Sequence, residues 1–327
     1  MIIFGRIRAD SLWGAFTLIC TLTINAAIDR LLFIDQFRKN QTNRIQKTVE
    51  VLGGKGTHVS LNLSTLGFRS RSFGVAFGKV GRQIQEILHE QQAVDVQFLH
   101  YANGSSRINY AIIEDDHTCS LVAEKGTIIA REVCLELIGH IDRNINAGDY
   151  IVLSGDASNT EIPHIYNVII ERLAPKGVKV FLDSSSENLT EGLKAKPFLV
   201  KPNQFELSQI AGRPVDTEAD ILTAMEAVQA GGVEVVAVSC GKNGSYVSYG
   251  GDTYRVLPLP VNVSNTIGCG DAYLTGLVCG FYKGMPIEDT LRLAAALSGA
   301  TAESELTVGF DPKRAADLTQ SVEIRKY

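Results

Sequence analysis

From residue 150 onward, short apolar runs alternate with segments whose apolar residues return every three or four positions. Strands are predicted over 150–153, 177–183, 198–200 and 234–239. Residues 235–238 of the last are apolar and mostly β-branched, as a strand buried on both faces requires. Helices are predicted over 162–173, 216–230, 271–283 and 287–303. Such alternation predicts an α/β fold, a mostly parallel sheet with helices on both faces. A ligand site is then expected at the carboxyl ends of the strands. Ser154-Gly155, Asp183, Lys201-Pro202-Asn203 and Ser239-Cys240-Gly241 fall at such ends.

The first half has a different texture. Strand patterns appear at 21–24, 31–34, 48–51, 107–113 and 118–122, the last two separated by the polar Glu114-Asp115-Asp116-His117. Apart from the first of these, a core strand, they are expected to form a small sheet projecting from the α/β core as a lid, with strands from about 30–52 and 106–123. Val59, Leu63 and Leu66 have helical spacing, and Gly67 is a plausible C-terminal cap. Residues 1–14 are expected to be a poorly ordered extension, leaving 15–327 as one α/β domain.

Composition narrows the class. The 327 residues are 45% hydrophobic and 20% charged, with net charge −5, an ordinary globular balance. The acidic excess and the lack of long basic runs argue against a nucleic-acid partner. No apolar run approaches the ~20 residues needed to span a bilayer, so no membrane partner is expected. The six cysteines lack a Cys-x-x-Cys pair, which reads as reduced thiols in a cytoplasmic protein. The six histidines lack metal-ligand spacing.

The most informative stretch is Ile267-Gly268-Cys269-Gly270-Asp271, just before a predicted helix. Gly268 and Gly270 permit a tight turn with positive φ and close backbone approach to a ligand. A helix N-terminus adds free N–H donors and positive potential, which suits phosphate. An acid there would repel phosphate unless Asp271 takes a proton from an attacking hydroxyl, the outline of a small-molecule kinase. Asp271 as a simple helix cap is the alternative. Gly53-Gly54-Lys55-Gly56 bares backbone and adds a cation, without P-loop spacing; a flexible turn is the alternative. Asp29 follows the first core strand, where a carboxylate can accept sugar hydroxyls or be a solvated turn residue. Arg107 begins a lid strand and is suited to phosphate, or is a surface arginine. Asn203 and Glu206, three apart, can hold Mg²⁺ through its waters, form a capping box, or do both. Ser239 to Gly244 can wrap a nucleotide or turn a hairpin. Ala272, Gly276 and Gly280, and Ala295, Ala296 and Gly299, form small-residue stripes, with helix packing as the main reading.

Taken in order, Asn25-Ala26-Ala27-Ile28-Asp29, Gly53-Gly54-Lys55-Gly56, Ser106-Arg107-Ile108-Asn109, Lys201-Pro202-Asn203 with Glu206, Ser239-Cys240-Gly241 with Gly244, and Ile267 to Asp271 resemble the ribokinase-like (PfkB) sugar kinases. The resemblance spans about residues 18–310, and its branch is that of 1-phosphofructokinase and tagatose-6-phosphate kinase. It implies a three-layer α/β/α sandwich with a β lid, and a homodimer through that lid. It implies an anion hole at Gly268, Cys269 and Gly270, with Asp271 as catalytic base. Substrate binding is implied for Asp29, Gly53, Gly54, Lys55, His58 and Arg107. Nucleotide binding is implied for Lys201, Asn203, Ser239, Gly241, Lys242, Gly244 and Gly299, and Mg²⁺ for Asn203 and Glu206.

Three departures fall on the implied sugar side. Ala26 replaces a proline, His58 replaces an asparagine, and Asp156-Ala157-Ser158 replaces a Ser-Leu-Pro turn. The expected function is ATP- and Mg²⁺-dependent phosphorylation of a phosphorylated ketohexose of the fructose 1-phosphate or tagatose 6-phosphate type. The alternatives are a kinase for another sugar or a nucleoside, and a phosphosugar sensor without turnover. A dehydrogenase ranks below these, since Gly-x-Gly-x-x-Gly is absent from the first βα unit.

Overall fold

The computed structural model describes residues 17–116 and 118–327. The expectation for residues 1–14 lies outside them. In chain order the strands are β1 (Ile19–Thr23), β2 (Ala27–Ile34), β3 (Lys47–Gly53), β4 (Ser70–Phe77), β5 (Val94–Tyr101), β6 (Arg107–Glu114), β7 (Cys119–Ala123), β8 (Tyr150–Ser154), β9 (Lys179–Asp183), β10 (Leu199–Val200), β11 (Val235–Ser239), β12 (Ser245–Tyr249), β13 (Asp252–Val256) and β14 (Ile324–Lys326). The helices are α1 (Lys55–Thr65), α2 (Gly78–Glu90), α3 (Arg131–Asn144), α4 (Ile165–Leu173), α5 (Ser186–Lys194), α6 (Gln204–Ala211), α7 (Glu218–Ala230), α8 (Cys269–Lys283), α9 (Ile287–Ala302) and α10 (Pro312–Thr319).

Ten strands form the main sheet in the order β14-β13-β12-β11-β10-β9-β8-β1-β4-β5. Pairing is parallel from β5 to β11 and antiparallel from β11 to β14. The chain first builds outward from β1 through β4 to β5. It then returns to lay β8 on the other side of β1. That reversal leaves a crevice at the carboxyl ends of β1 and β8.

Strand alternation divides the core between two faces. On β11, Val236 and Val238 pack beneath α3 to α7, whereas Val235 and Ala237 pack beneath α1, α8, α9 and α10. The helices therefore form two layers around the sheet, an α/β/α sandwich. The small-residue stripe on α8 serves helix packing. A Cβ on Gly276 would lie 2.4 Å from the Ala294 Cα, and one on Gly280 would lie 2.4 Å from the Thr290 side chain. These positions bring α8 against α9.

The second sheet has the order β3-β2-β6-β7. Strands β2 and β6 run parallel, and the outer pairs antiparallel. The predicted strands at 31–34 and 48–51 are longer than their apolar cores suggested. Their ladders continue to Ala27 and Gly53, so this sheet grows directly out of the crevice.

Candidate active site

The carboxyl ends of β1, β8, β9 and β11, with the N-termini of α1, α6 and α8, surround a cavity of about 440 Å³. That is within the range of small-molecule sites. Asp29, Arg107 and Leu121 of the small sheet close one side.

At α8, the N-cap Gly268 has φ +80°, and a Cβ there would lie 1.9 Å from the Thr307 carbonyl oxygen. Only glycine fits. Gly270 departs from expectation: it lies in the first helical turn without positive φ, and a Cβ there would meet only Lys201 Nζ, at 3.4 Å. One glycine shapes the turn; the other keeps the path to Lys201 clear. The helix begins at Cys269, two residues before the predicted start, so the unpaired N–H groups of its first turn point toward the cavity end. The Cys269 thiol faces the Asn265 carbonyl at 4.0 Å, and burial pushes its pKa up to about 12. It therefore remains a neutral thiol while its backbone serves the turn.

Asp271 is no helix cap: α8 has no side-chain cap hydrogen bond. Its Oδ2 lies 2.7 Å from His58 Nδ1, and His58 Nε2 lies 2.9 Å from the Leu52 carbonyl oxygen. Both groups are buried yet touch the cavity wall. Burial alone would lower the pKa of His58. The hydrogen bond and charge of Asp271, with Asp29 and the Leu52 carbonyl, outweigh burial and raise it. His58 was expected to contact the sugar. His58 lies on the cavity wall, with both ring nitrogens already engaged by protein partners.

Asp183 joins two residues for which the family resemblance implies different ligands. Its Oδ1 accepts from Lys55 Nζ at 2.8 Å, and its Oδ2 pairs with Lys201 Nζ at 3.0 Å. Burial would raise the pKa of Asp183, but Lys201 and Lys55 outweigh it and hold the carboxyl below its ordinary value. Lys55 is likewise held above the ordinary lysine value despite burial, mainly by Asp183 and then Asp271. The trio carries net +1 beside the α8 turn. Asp183 was visible in the sequence only as the last residue of a strand.

On the small sheet, Asp29 Oδ1 accepts from Asn109 Nδ2 at 2.7 Å. Gly53 lies off the cavity wall and makes room for this carboxylate: a Cβ there would sit 2.1 Å from Asp29 Oδ1. Gly54, with φ +104°, lies on the wall. Arg107 donates through Nε to the Asn25 carbonyl at 3.0 Å and through Nη1 to that of Glu124 at 3.4 Å. Burial lowers its pKa, while Asp156 and Asp29 oppose the shift. Asp156, on the same wall, accepts from the amide and hydroxyl of Ser158. Thr23 and Ser154 also line the cavity; their hydroxyls are buried and lack a protein hydrogen-bond partner. Their sequence signal was slight: small polar residues ending strands.

On the opposite side, Asn203 and Glu206 form a full capping box at α6. Asn203 Oδ1 accepts from the Glu206 amide and Glu206 Oε2 from the Asn203 amide, each at 2.8 Å. Both residues also line the cavity, as does Ser239. Gly241, Lys242 and Gly244 lie in the turn between β11 and β12, outside this wall. Gly299 is also outside it: a Cβ there would meet Leu259, Leu318 and Val261 at 3.2–3.4 Å.

A family model described as "pfkB family carbohydrate kinase" matches residues 20–314. The chain belongs to the pfkB family of carbohydrate kinases. It is thus a phosphotransferase with an alcohol acceptor, and ATP is the phosphoryl donor that family membership implies. This pfkB-family kinase is 33% identical to a 1-phosphofructokinase of Haemophilus influenzae, over 89% of this chain and 92% of that protein. It is 26% identical to a tagatose-6-phosphate kinase of Staphylococcus epidermidis, over 94% and 99%. The crystal structure of phosphofructokinase-2 from Escherichia coli in complex with potassium shares the fold, with TM-score 0.87, 23% identity and coverage of 94% and 99%. Among the described residues, no helix is long and apolar enough to cross a membrane.

Proposed function

We propose that this pfkB-family kinase transfers the terminal phosphoryl group of ATP to a hydroxyl of a phosphorylated ketohexose, forming a sugar bisphosphate. The carrying observation is Asp271. It lies on the cavity wall beside the α8 turn, with Oδ2 held by His58 and Oδ1 left for an acceptor hydroxyl. Asp271 acts as general base, and the amides of Gly268, Cys269 and Gly270 receive the moving phosphoryl group. Lys55 and Lys201 add positive charge there. Asp29, with the unpartnered hydroxyls of Thr23 and Ser154, is suited to hold sugar hydroxyls. The free edge of the Arg107 guanidinium faces the acceptor's existing phosphate.

The nucleotide side includes Asn203 and Ser239 on the wall, with Gly241, Lys242 and Gly244 in the neighbouring turn. Glu206 keeps Oε1 outside its capping box, and Asn203 Oδ1 keeps a second lone pair. This all-oxygen donor set fits Mg²⁺ held through its waters. When bound, the ion would neutralise phosphate charge. The exposed Leu121 and Val122 of β7 support the lid as a homodimer face, which sedimentation would test.

One observation favours a second reading. Asp156 shares the wall with Arg107 and partly offsets its charge, which would suit an unphosphorylated sugar or nucleoside. ATP consumption across acceptors with and without a phosphate separates the two. Under the first reading, Arg107→Ala raises KM for phosphorylated acceptors about 10–100-fold, the loss of a charge-assisted hydrogen bond. Faster turnover of unphosphorylated acceptors, unaffected by Arg107→Ala, would establish the second.

A further inference from the structure

The contact between His58 and Asp271 bridges 213 positions of sequence. It involves the residue at which this chain departs from the asparagine of the motif it resembles. The tautomer follows from the neighbours. A backbone carbonyl can only accept, so His58 Nε2, 2.9 Å from the Leu52 oxygen, carries a proton. Nδ1 then faces Asp271 Oδ2 at 2.7 Å, and an ionised carboxylate there requires a second ring proton. The two acceptors together select the imidazolium.

The charged groups around the ring agree with that state. Asp271 approaches from α8 and Asp29 from β2, while Lys55 on the same helix is neutralised in part by Asp183. Lys201 beyond it also pairs with Asp183. Asp271 and Asp29 both act to keep the proton on His58, against its burial.

We propose that His58 is a positioning residue for Asp271, an imidazolium that clamps Oδ2 and leaves Oδ1 facing the acceptor hydroxyl. This rests on the reading of Asp271 as base. In the transfer step, the acceptor O–H bond breaks and its proton passes to Oδ1. The freed oxygen pair bonds to the terminal phosphorus of ATP, and the P–O bond to ADP breaks with its pair leaving on ADP. The Nδ1 proton stays on His58 throughout. ATP and a phosphorylated acceptor crowd negative charge against Asp271, and a cation touching Oδ2 balances part of it. A neutral amide at position 58 can supply the hydrogen bond but not the charge, and it has no proton to lose as pH rises.

The test combines turnover with ring titration in the full chain. His58→Leu is expected to lower kcat about 10–100-fold through a misplaced base, with KM for both substrates within about 2-fold. His58→Asn is expected to recover most of kcat. Its kcat–pH profile should lack the alkaline limb that the wild type shows as His58 loses its proton. Superimposable profiles for wild type and His58→Asn would overturn the proposal. So would full kcat in His58→Leu.

¹⁵N-histidine NMR, assigned with His58→Asn, reads the ring without turnover or a foldable Leu variant. Both ring nitrogens should remain protonated at pH 8, where an ordinary histidine of pKa about 6.5 is neutral. In Asp271→Asn the ring should be neutral at that pH. A neutral His58 in the wild type would overturn the proposal. Absence of turnover with every acceptor would overturn the kinase reading instead, and the ring titration distinguishes that failure from failure of the clamp.

Discussion

Replacing Asp183 with asparagine removes the one negative charge between Lys55 and Lys201 and changes almost nothing in volume. The Lys201 half of the bridge is buried, with side-chain exposures of 5% for Lys201 and 1% for Asp183. The Lys55 half is more open, at 38% for the lysine, and solvent screening reduces its share. Breaking a buried ion pair by removing one partner costs about 3–5 kcal/mol, since a charge is left uncompensated. Unfolding entropy of about 2.1 cal/mol/K per residue, over the roughly 310 described residues, gives about 0.65 kcal/mol/K. Asp183→Asn should therefore lower Tm by about 5–8 °C. The two lysines, now repelling each other beside the α8 turn, should also lose their aim, and kcat should fall about 10²–10³-fold.

The pH dependence supplies an independent sign. Asp183 is held below the ordinary carboxyl range, so its contribution is present above the unfolded value near 3.8. It is lost as pH falls through the lower folded value. The Tm gap between wild type and Asp183→Asn should stay constant from neutral pH down to about pH 5 and close under stronger acid. Calorimetry across that range and steady-state ATP consumption are the assays. A Tm within 1 °C of wild type together with unchanged kcat would refute the reasoning, because Lys55 and Lys201 would then need no partner.

Asp271→Asn should lower kcat about 10²–10⁴-fold with little change in either KM, since the amide cannot take the acceptor proton; undiminished turnover would discard Asp271 as base. Gly53→Ala places a Cβ 2.1 Å from Asp29 Oδ1, so Asp29 must move. Overpacking of this kind costs about 1–3 kcal/mol. KM for the acceptor should rise while KM for ATP stays level, and equal effects on both would contradict the assignment of Asp29 to the acceptor.

Hydrophobic period and glycine placement were sufficient to foresee the parallel sheet, its two helix layers and the small second sheet, because these follow from local burial pattern. They also placed the α8 turn, where Gly268 alone can occupy its conformation. The capping box at Asn203 and Glu206 was legible for the same reason: its partners are three residues apart. What sequence could not supply was side-chain pairing between distant elements. Lys55 and Lys201, one assigned to the acceptor and one to the nucleotide, meet on Asp183 only because β9 and β10 are neighbours and α1 starts opposite them. The motif put His58 on the acceptor side, and only the packing of α1 against α8 brings its ring onto Asp271. Local chemistry determined which residues could act. The order of strands in the sheet, set by burial of both faces at once, decided which of them touch.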